Sequence, residues 1–201
     1  MGLRKVGLAM LAGLLFLAVE ARAQTVELAM AMPTPEKSAS ERCLRSSSAP
    51  QVIAACSEAL DAGLDGADRA RALARRGNAR QSLGDGMGAK SDLLQAADQY
   101  DALISPLSPP ALVYARAVIW HALGEADRAL ADYNRVARMQ PNEPLVFLNR
   151  GLVLARYKAD YALALIDFDQ VLQLKPANPE VLHRAALERA AALAITSFAS
   201  R

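Results

Sequence analysis

Two histidines, His121 and His183, are all the chain offers as imidazole bases or metal ligands, and neither falls in a His-x-x-x-His or His-Glu-x-x-His pattern. The two cysteines, Cys43 and Cys56, are spaced too far apart for the Cys-x-x-Cys of a redox pair. Gly84-Asp85-Gly86-Met87-Gly88 is glycine-rich, yet the Lys-Ser/Thr that a phosphate loop needs next is absent, so the stretch reads as a permissive turn. No Gly-x-Ser-x-Gly elbow or dinucleotide fingerprint occurs. Asp127-Arg128 and the Lys158 and Asp160 neighbourhood read as solvated charges on turns and helix faces. The expectation is therefore no enzyme, no catalytic, cofactor-binding or metal-binding residue, and His121 on a surface or groove.

The elements that carry these residues repeat. Ala129-x-x-x-Tyr133 with Pro141 and Pro144 returns as Ala164-x-x-x-Phe168 with Pro176 and Pro179, each 35 residues later. A fixed period of this size marks two-helix units that bury their apolar faces on their neighbours. Helices pair about the turns Gly84-Asp85, Gly124-Glu125 and Lys158-Ala159-Asp160, the third with one extra residue, which is expected in the turn because turns tolerate insertion. Gly77, Ala117 and Gly151 are the small positions of the first helices. Ala89, Ala129 and Ala164 are those of the second helices, with Leu93, Tyr133 and Phe168 one turn later to fill space. Pro141 and Pro176 stop helices, whereas Pro144 and Pro179 start them. Trp120 is expected in the core; Tyr114, on the same helix, is left open between core and groove.

Composition bounds the function further. Arg4 and Lys5, the apolar run Val6 to Val19 and Ala21-Arg22-Ala23 form a secretory signal peptide over residues 1–23, shorter in its apolar part than the ~20 residues that span a bilayer. The position after it is Gln24, not the cysteine of a lipidation site. Of 23 basic and 21 acidic residues, that segment holds Arg4, Lys5, Arg22 and Glu20, so the mature chain is near neutral and has no footprint for nucleic acid. Membrane contact is expected only through this cleaved segment, and the compartment is periplasmic or secreted. Residues 24–38 read as a flexible leader. Residues 39–66 read as an N-terminal helical cap, with Ser48, Ala49 and Pro50 at a helix start. In an exported chain an even pair of cysteines favours a Cys43–Cys56 disulfide, which would tie the cap together.

The repeated residues resemble the tetratricopeptide repeat (TPR), whose period is about 34 and whose signature runs through a small residue, a Leu-Gly turn, Ala-x-x-x-Phe and a final Pro. Asn149-Arg150-Gly151, Leu123 through Ala129 and Asp160 through Ala164 carry the likeness in repeats two and three. In repeat one Asp101 stands where the final proline belongs, and about six residues more than the family period fall in the segment Ile104 to Pro110. The resemblance implies an all-α solenoid over residues 67–201, with repeats at about 70–103, 110–143 and 144–178. A capping helix at 179–198 would bury Val181, Leu182, Ala186, Leu187, Ala190 and Leu193.

It also implies that the first helices line a concave groove for a protein or peptide partner. Carried onto this chain, the groove residues are Arg71, Arg75, Asn78 and Gln81 in repeat one and Tyr114, Val118 and His121 in repeat two. Repeat three adds Leu145, Leu148, Asn149, Leu152 and Arg156. The groove would be polar and basic at its N-terminal end and apolar toward the other. Ala74 and Ala115 occupy positions that a carboxylate clamp fills with Lys and Asn, so an extended or helical apolar segment is the expected ligand. The function so read is an exported adaptor of the cell envelope. The alternative is a structural module that self-associates as a homo-oligomer through its ends.

Overall fold

The computed structural model describes residues 38–199, so the expected signal peptide (1–23) and all of the leader except Ser38 lie outside the described residues. The described chain is all helix apart from turns, with no strand among the described residues. Helix α1 (Ala39–Arg45) starts at a capping box: the Ser38 hydroxyl accepts from the Glu41 amide while the Glu41 carboxylate accepts from the Ser38 amide. Helix α2 (Ala49–Asp61) follows with Pro50 in its first turn, where a missing N–H costs nothing. Cys43 and Cys56 join these two helices in a buried disulfide, as the sequence led us to expect.

Three hairpins come next: α3 (Gly66–Ser82) with α4 (Gly86–Leu103), α5 (Pro110–Ala122) with α6 (Ala126–Met139), and α7 (Pro144–Val153) with α8 (Tyr161–Leu174). Helix α9 (Pro179–Ala199) closes the order. Each helix packs on the next, and the first helices of successive hairpins also touch (α3 with α5, α5 with α7), which is the contact pattern of a stacked row. The small positions do what their size allows. A Cβ added at Gly151 would lie 2.7 Å from the Phe168 ring, and one at Gly77 would lie 3.0 Å from Leu93. Trp120 is buried, with the Arg128 guanidinium 4.6 Å over its ring.

One feature of the core escaped the sequence reading. Arg76, Arg116 and Arg150 each grip an aspartate of the partner helix through Nε and Nη2, at 2.8 and 2.7 Å for Asp92 and Asp132 and at 2.8 and 2.6 Å for Asp167. All three aspartates are buried. The remaining Nη1 of each arginine donates backwards, to Ser57 of α2, Asp101 of α4 and Asn134 of α6 respectively. A single side chain therefore clamps its own hairpin and staples it to the preceding one. Each arginine directly precedes the small position and each aspartate directly precedes the space-filling one, so the pairs recur with the repeat. Burial pushes the Asp167 carboxyl above its usual range, opposed by Arg150.

The two irregularities of the period are absorbed differently from expectation. The additional residues of repeat one mostly lengthen α4, which has 18 residues against 14 in α6 and α8, and the short connection to α5 is held by Arg135 donating to the Ser105 and Pro106 carbonyls at 2.7 and 2.9 Å. Repeat one thus keeps its packing on repeat two. The extra residue of the third hairpin sits not in a longer turn but in a π-helical turn, Leu154–Lys158, that ends on Ala159 at φ 52°. The corresponding corners of the first two hairpins use Gly84 and Gly124 at φ 84° and 77°.

Candidate functional site

The first helices present α3, α5 and α7 side by side, and the depression between α3 and α5 is where the expected residues converge. Arg71, Arg75 and Asn78 from α3 and Tyr114 and Val118 from α5 line one open hollow of about 250 Å³. Its floor is apolar, made by Ala74, Leu93, Ala115 and Ile119, with Tyr100 beside them. From sequence Ala74 and Ala115 stood out only as departures from a carboxylate clamp and Leu93 only as a packing residue, while Tyr100 and Ile119 were not singled out. Their signal was present in the helical spacing, since Ala74 and Ala115 stand one turn from Asn78 and Ile119.

Local chemistry sets the rim. Arg71 and Asn78 are exposed. The Tyr100 hydroxyl lies beside the Arg71 guanidinium, and burial raises its pKa above the usual phenol value against that cation's pull. Arg75 is less available than expected: Nε donates to the Cys43 carbonyl and Nη2 to the Ser46 carbonyl, both at 2.9 Å, so its main work is holding the disulfide-bonded cap onto α3. A neighbouring hollow of about 320 Å³ opens on its other side, lined by Ser47, Val52 and Ser82 and sharing Arg75 and Asn78 as a common ridge.

Tyr114 and Asn149 meet across α5 and α7, the amide donating to the phenol at 2.7 Å. Burial raises the Tyr114 pKa while this hydrogen bond opposes the shift. Tyr133 lies edge-on to Tyr114 and to His121, and His121 lies edge-on to Tyr157. Burial, and then the charge of Arg156, lower the His121 pKa. This packing makes His121 part of an aromatic cluster. The Tyr133 hydroxyl, fully buried, has no hydrogen-bond partner among the described residues.

The C-terminal half of the expected groove is different. Leu148 and Leu152 are buried in one apolar cluster with Phe168 and with Ala185 and Val181 of α9, so their side chains are consumed by packing instead of facing a ligand. Arg156 pairs with Glu188 of α9 at 3.6 Å. Of the apolar residues expected at this end only Leu145 is exposed. Gln81 lies apart, in a hollow with Gly86, Lys90 and Leu123 near the first hairpin turn. Among the described residues no group of three or more His, Cys, Asp or Glu is placed to hold a metal ion, and no helix is long and apolar enough to cross a membrane.

Helical hairpins at a period near 35, locked at small residues against an aromatic or leucine one turn after an alanine and stacked through adjacent first helices, decide the architecture. It is a TPR-like α-solenoid. No protein-family model matches the chain, and no curated protein does either. Among solved structures the solenoid is similar to MamA, residues 41 to the end, from Desulfovibrio magneticus RS-1, at 15% identity and TM-score 0.49 over 79% of this chain and 87% of that one. It is similar also to the first TPR of Spaghetti (RPAP3) bound to an HSP90 peptide, at 20% identity and TM-score 0.45 over 66% and 97%. YrrB, described as a TPR protein with an unusual peptide-binding site, matches at 19% identity and TM-score 0.43 over 71% and 68%.

Proposed function

We propose that the solenoid is a non-catalytic scaffold that binds a partner protein through an extended segment laid along α3 and α5. The observation that supports it is the convergence of five groove positions, carried over from the family resemblance, on one hollow with an apolar floor and a cationic rim. Such a site suits a peptide that places one apolar side chain on Val118 and Ile119 and an acidic residue near Arg71. The polar, basic N-terminal half is the binding half; the apolar end is taken by the chain's own α9. A photo-crosslinker at Asn78 should capture a discrete partner in the native compartment. Arg71→Glu should reduce that capture at least ~10-fold, the scale of a lost charge-assisted contact. Capture of the same partner from Arg138 on a second helix, or capture indifferent to Arg71→Glu, overturns this reading.

The partner is proposed to be a protein of the cell envelope. Support comes from the basic start, apolar run and small-x-small site of residues 1–23 together with a buried disulfide, a bond that persists in oxidising compartments. Sequencing the N-terminus of the protein recovered from its native cell should begin at Gln24; an intact Met1 start on protein kept in the cytoplasm contradicts export.

A further inference from the structure

Of the residues expected to be buried on α9, Val181 packs on the array, but Leu182, Ala186, Leu187, Ala190 and Leu193 are exposed. Val181, Ala185 and Ala192 face the array, and the helix charges other than Glu180 lie on that side or at its margins: Arg189 pairs with Asp169, Glu188 with Arg156 and Arg184. The opposite side is exposed. Leu182, Leu187, Leu193 and Phe198 are 36, 55, 41 and 83% accessible, and Ala186, Ala190 and Ala194 between them are exposed too. At ~100° per residue these positions share an arc of about 160° whose one charge is Glu180, at its edge on the Phe198 side and in the first turn of the helix.

This face is a hairpin half built to receive a helix. Counting 35 residues from Gly151, which takes the Phe168 ring, leads to Ala186. In the three complete hairpins the corresponding small position is covered by a second helix. On α9 no described residue covers it.

The order of residues says what does. Taking Ala190 as centre, Ala186 matches Ala194, Leu187 matches Leu193, and Leu182 matches Phe198, with His183 opposite Ser197. A two-fold axis at Ala190 sets residues equally far from the midpoint at the same height on the two copies, so small positions lie level with small ones and large with large. The alanines allow close approach, and the larger side chains fill the flanks. The one charge, Glu180, sits near one end of the helix, so an antiparallel two-fold sets the two copies of it at opposite ends of the interface and they do not repel. The exposed area is on the order of 700 Å² per copy, close to the ~800 Å² per partner of a stable interface.

We infer that two copies of this chain dimerise through the outer face of α9, antiparallel about a two-fold axis at Ala190, and that each α9 supplies the other with the missing second helix. The surface is separate from the hollow between α3 and α5, so its test stands whether or not that hollow binds a peptide.

Sedimentation of the full mature chain should show a concentration-dependent doubling of mass. Ala190→Glu, an exposed substitution that sets two carboxylates against each other, should abolish the dimer and leave the helical circular-dichroism spectrum unchanged. Ala190→Cys is the more specific test. Both native cysteines are bonded to each other, so the new thiol is the single free one among the described residues. On mild oxidation it should crosslink the dimer, whereas Gln170→Cys on α8 should not. A strict monomer at all concentrations overturns the inference. So does a dimer that survives Ala190→Glu, or one that Ala190→Cys fails to crosslink.

Discussion

The arginine–aspartate clamp gives the sharpest quantitative test, and the third hairpin is the place to apply it. The Asp167 side chain is 2% exposed and among the described residues its two oxygens accept only from Arg150, whose side chain is 21% exposed. Arg150→Met keeps an apolar stem but removes the guanidinium, which lies 5.5 Å over the Phe147 ring, and strands a carboxylate in a dry site. Breaking a buried pair on one side costs about 3–5 kcal/mol, whereas replacing both members by apolar groups of similar volume is near neutral or stabilising by about 1–4 kcal/mol. For a domain of this size each kcal/mol moves Tm by about 2–4 °C, so Arg150→Met should lower it by roughly 6–20 °C. The double variant Arg150→Met/Asp167→Leu should return close to the native value. Urea unfolding of the two single variants and the double variant, read as a cycle, measures the coupling directly. Acid should also narrow the gap. The folded carboxyl already holds its proton more tightly than the unfolded chain does, and removing Arg150 raises its pKa further. The folded variant therefore binds more protons, and its stability falls as pH rises from about 4. An Arg150→Met cost under about 1 kcal/mol, or a double variant as unstable as the sum of the singles, would refute the view that the clamp acts as a unit.

Gly151→Ala should cost about 1–3 kcal/mol by overpacking against Phe168, while Gly86→Ala, with nothing within 4 Å of the added carbon, should be neutral or slightly stabilising in the same melt. Tyr133→Phe removes a buried hydroxyl that has no partner and should raise Tm, by about 1 kcal/mol or more of stability; a lower Tm would mean the hydroxyl is satisfied in solution. Because the folded chain holds His121 below its ordinary pKa, it binds fewer protons than the unfolded chain near pH 6. Stability should therefore fall as pH drops from 7.5 to 5.5, and His121→Gln should flatten that part of the profile measured by urea unfolding. Reducing Cys43–Cys56, or replacing both by Ser, should cost about 3 kcal/mol and free the α1 amides to hydrogen exchange, since the bond closes a short loop between α1 and α2.

Much of this architecture was readable from spacing because helix packing constrains residue size at fixed intervals. Gly77, Ala117 and Gly151 had to be small for a partner to sit at contact distance, and Pro144 and Pro179 had to lie at helix starts. What spacing does not carry is which way a long side chain points. Arg75 was assigned to the groove by its register, yet the cap formed by the disulfide offers two carbonyls within its reach. Leu148 and Leu152 have the register of groove residues too, and they are buried because α9 is present to receive them. The Asp92, Asp132 and Asp167 pairs were hidden for another reason: a lone aspartate in a helix reads as solvent-facing until its partner, 16 or 17 residues upstream on the facing helix, is seen.

That ladder of clamps also explains where the row stops being regular. The arginines at 76, 116 and 150 each hold a buried aspartate on the next helix, and one more period beyond Arg150 falls on Ala185. With no arginine there, α9 cannot clamp a following helix in the same way. Its tie to the array passes instead to Arg189, one turn later, on Asp169 of the preceding helix. The change converts a repeat unit into an end piece: the clamp position is an alanine buried on the inner face, and the outer face carries alanines and large apolar side chains with no clamp of its own. An apolar surface free of such a clamp carries no penalty for accepting a copy of itself. Restoring the period with Ala185→Arg should destabilise α9, because Ala185 is fully buried against the array and an arginine there would be overpacked and desolvated.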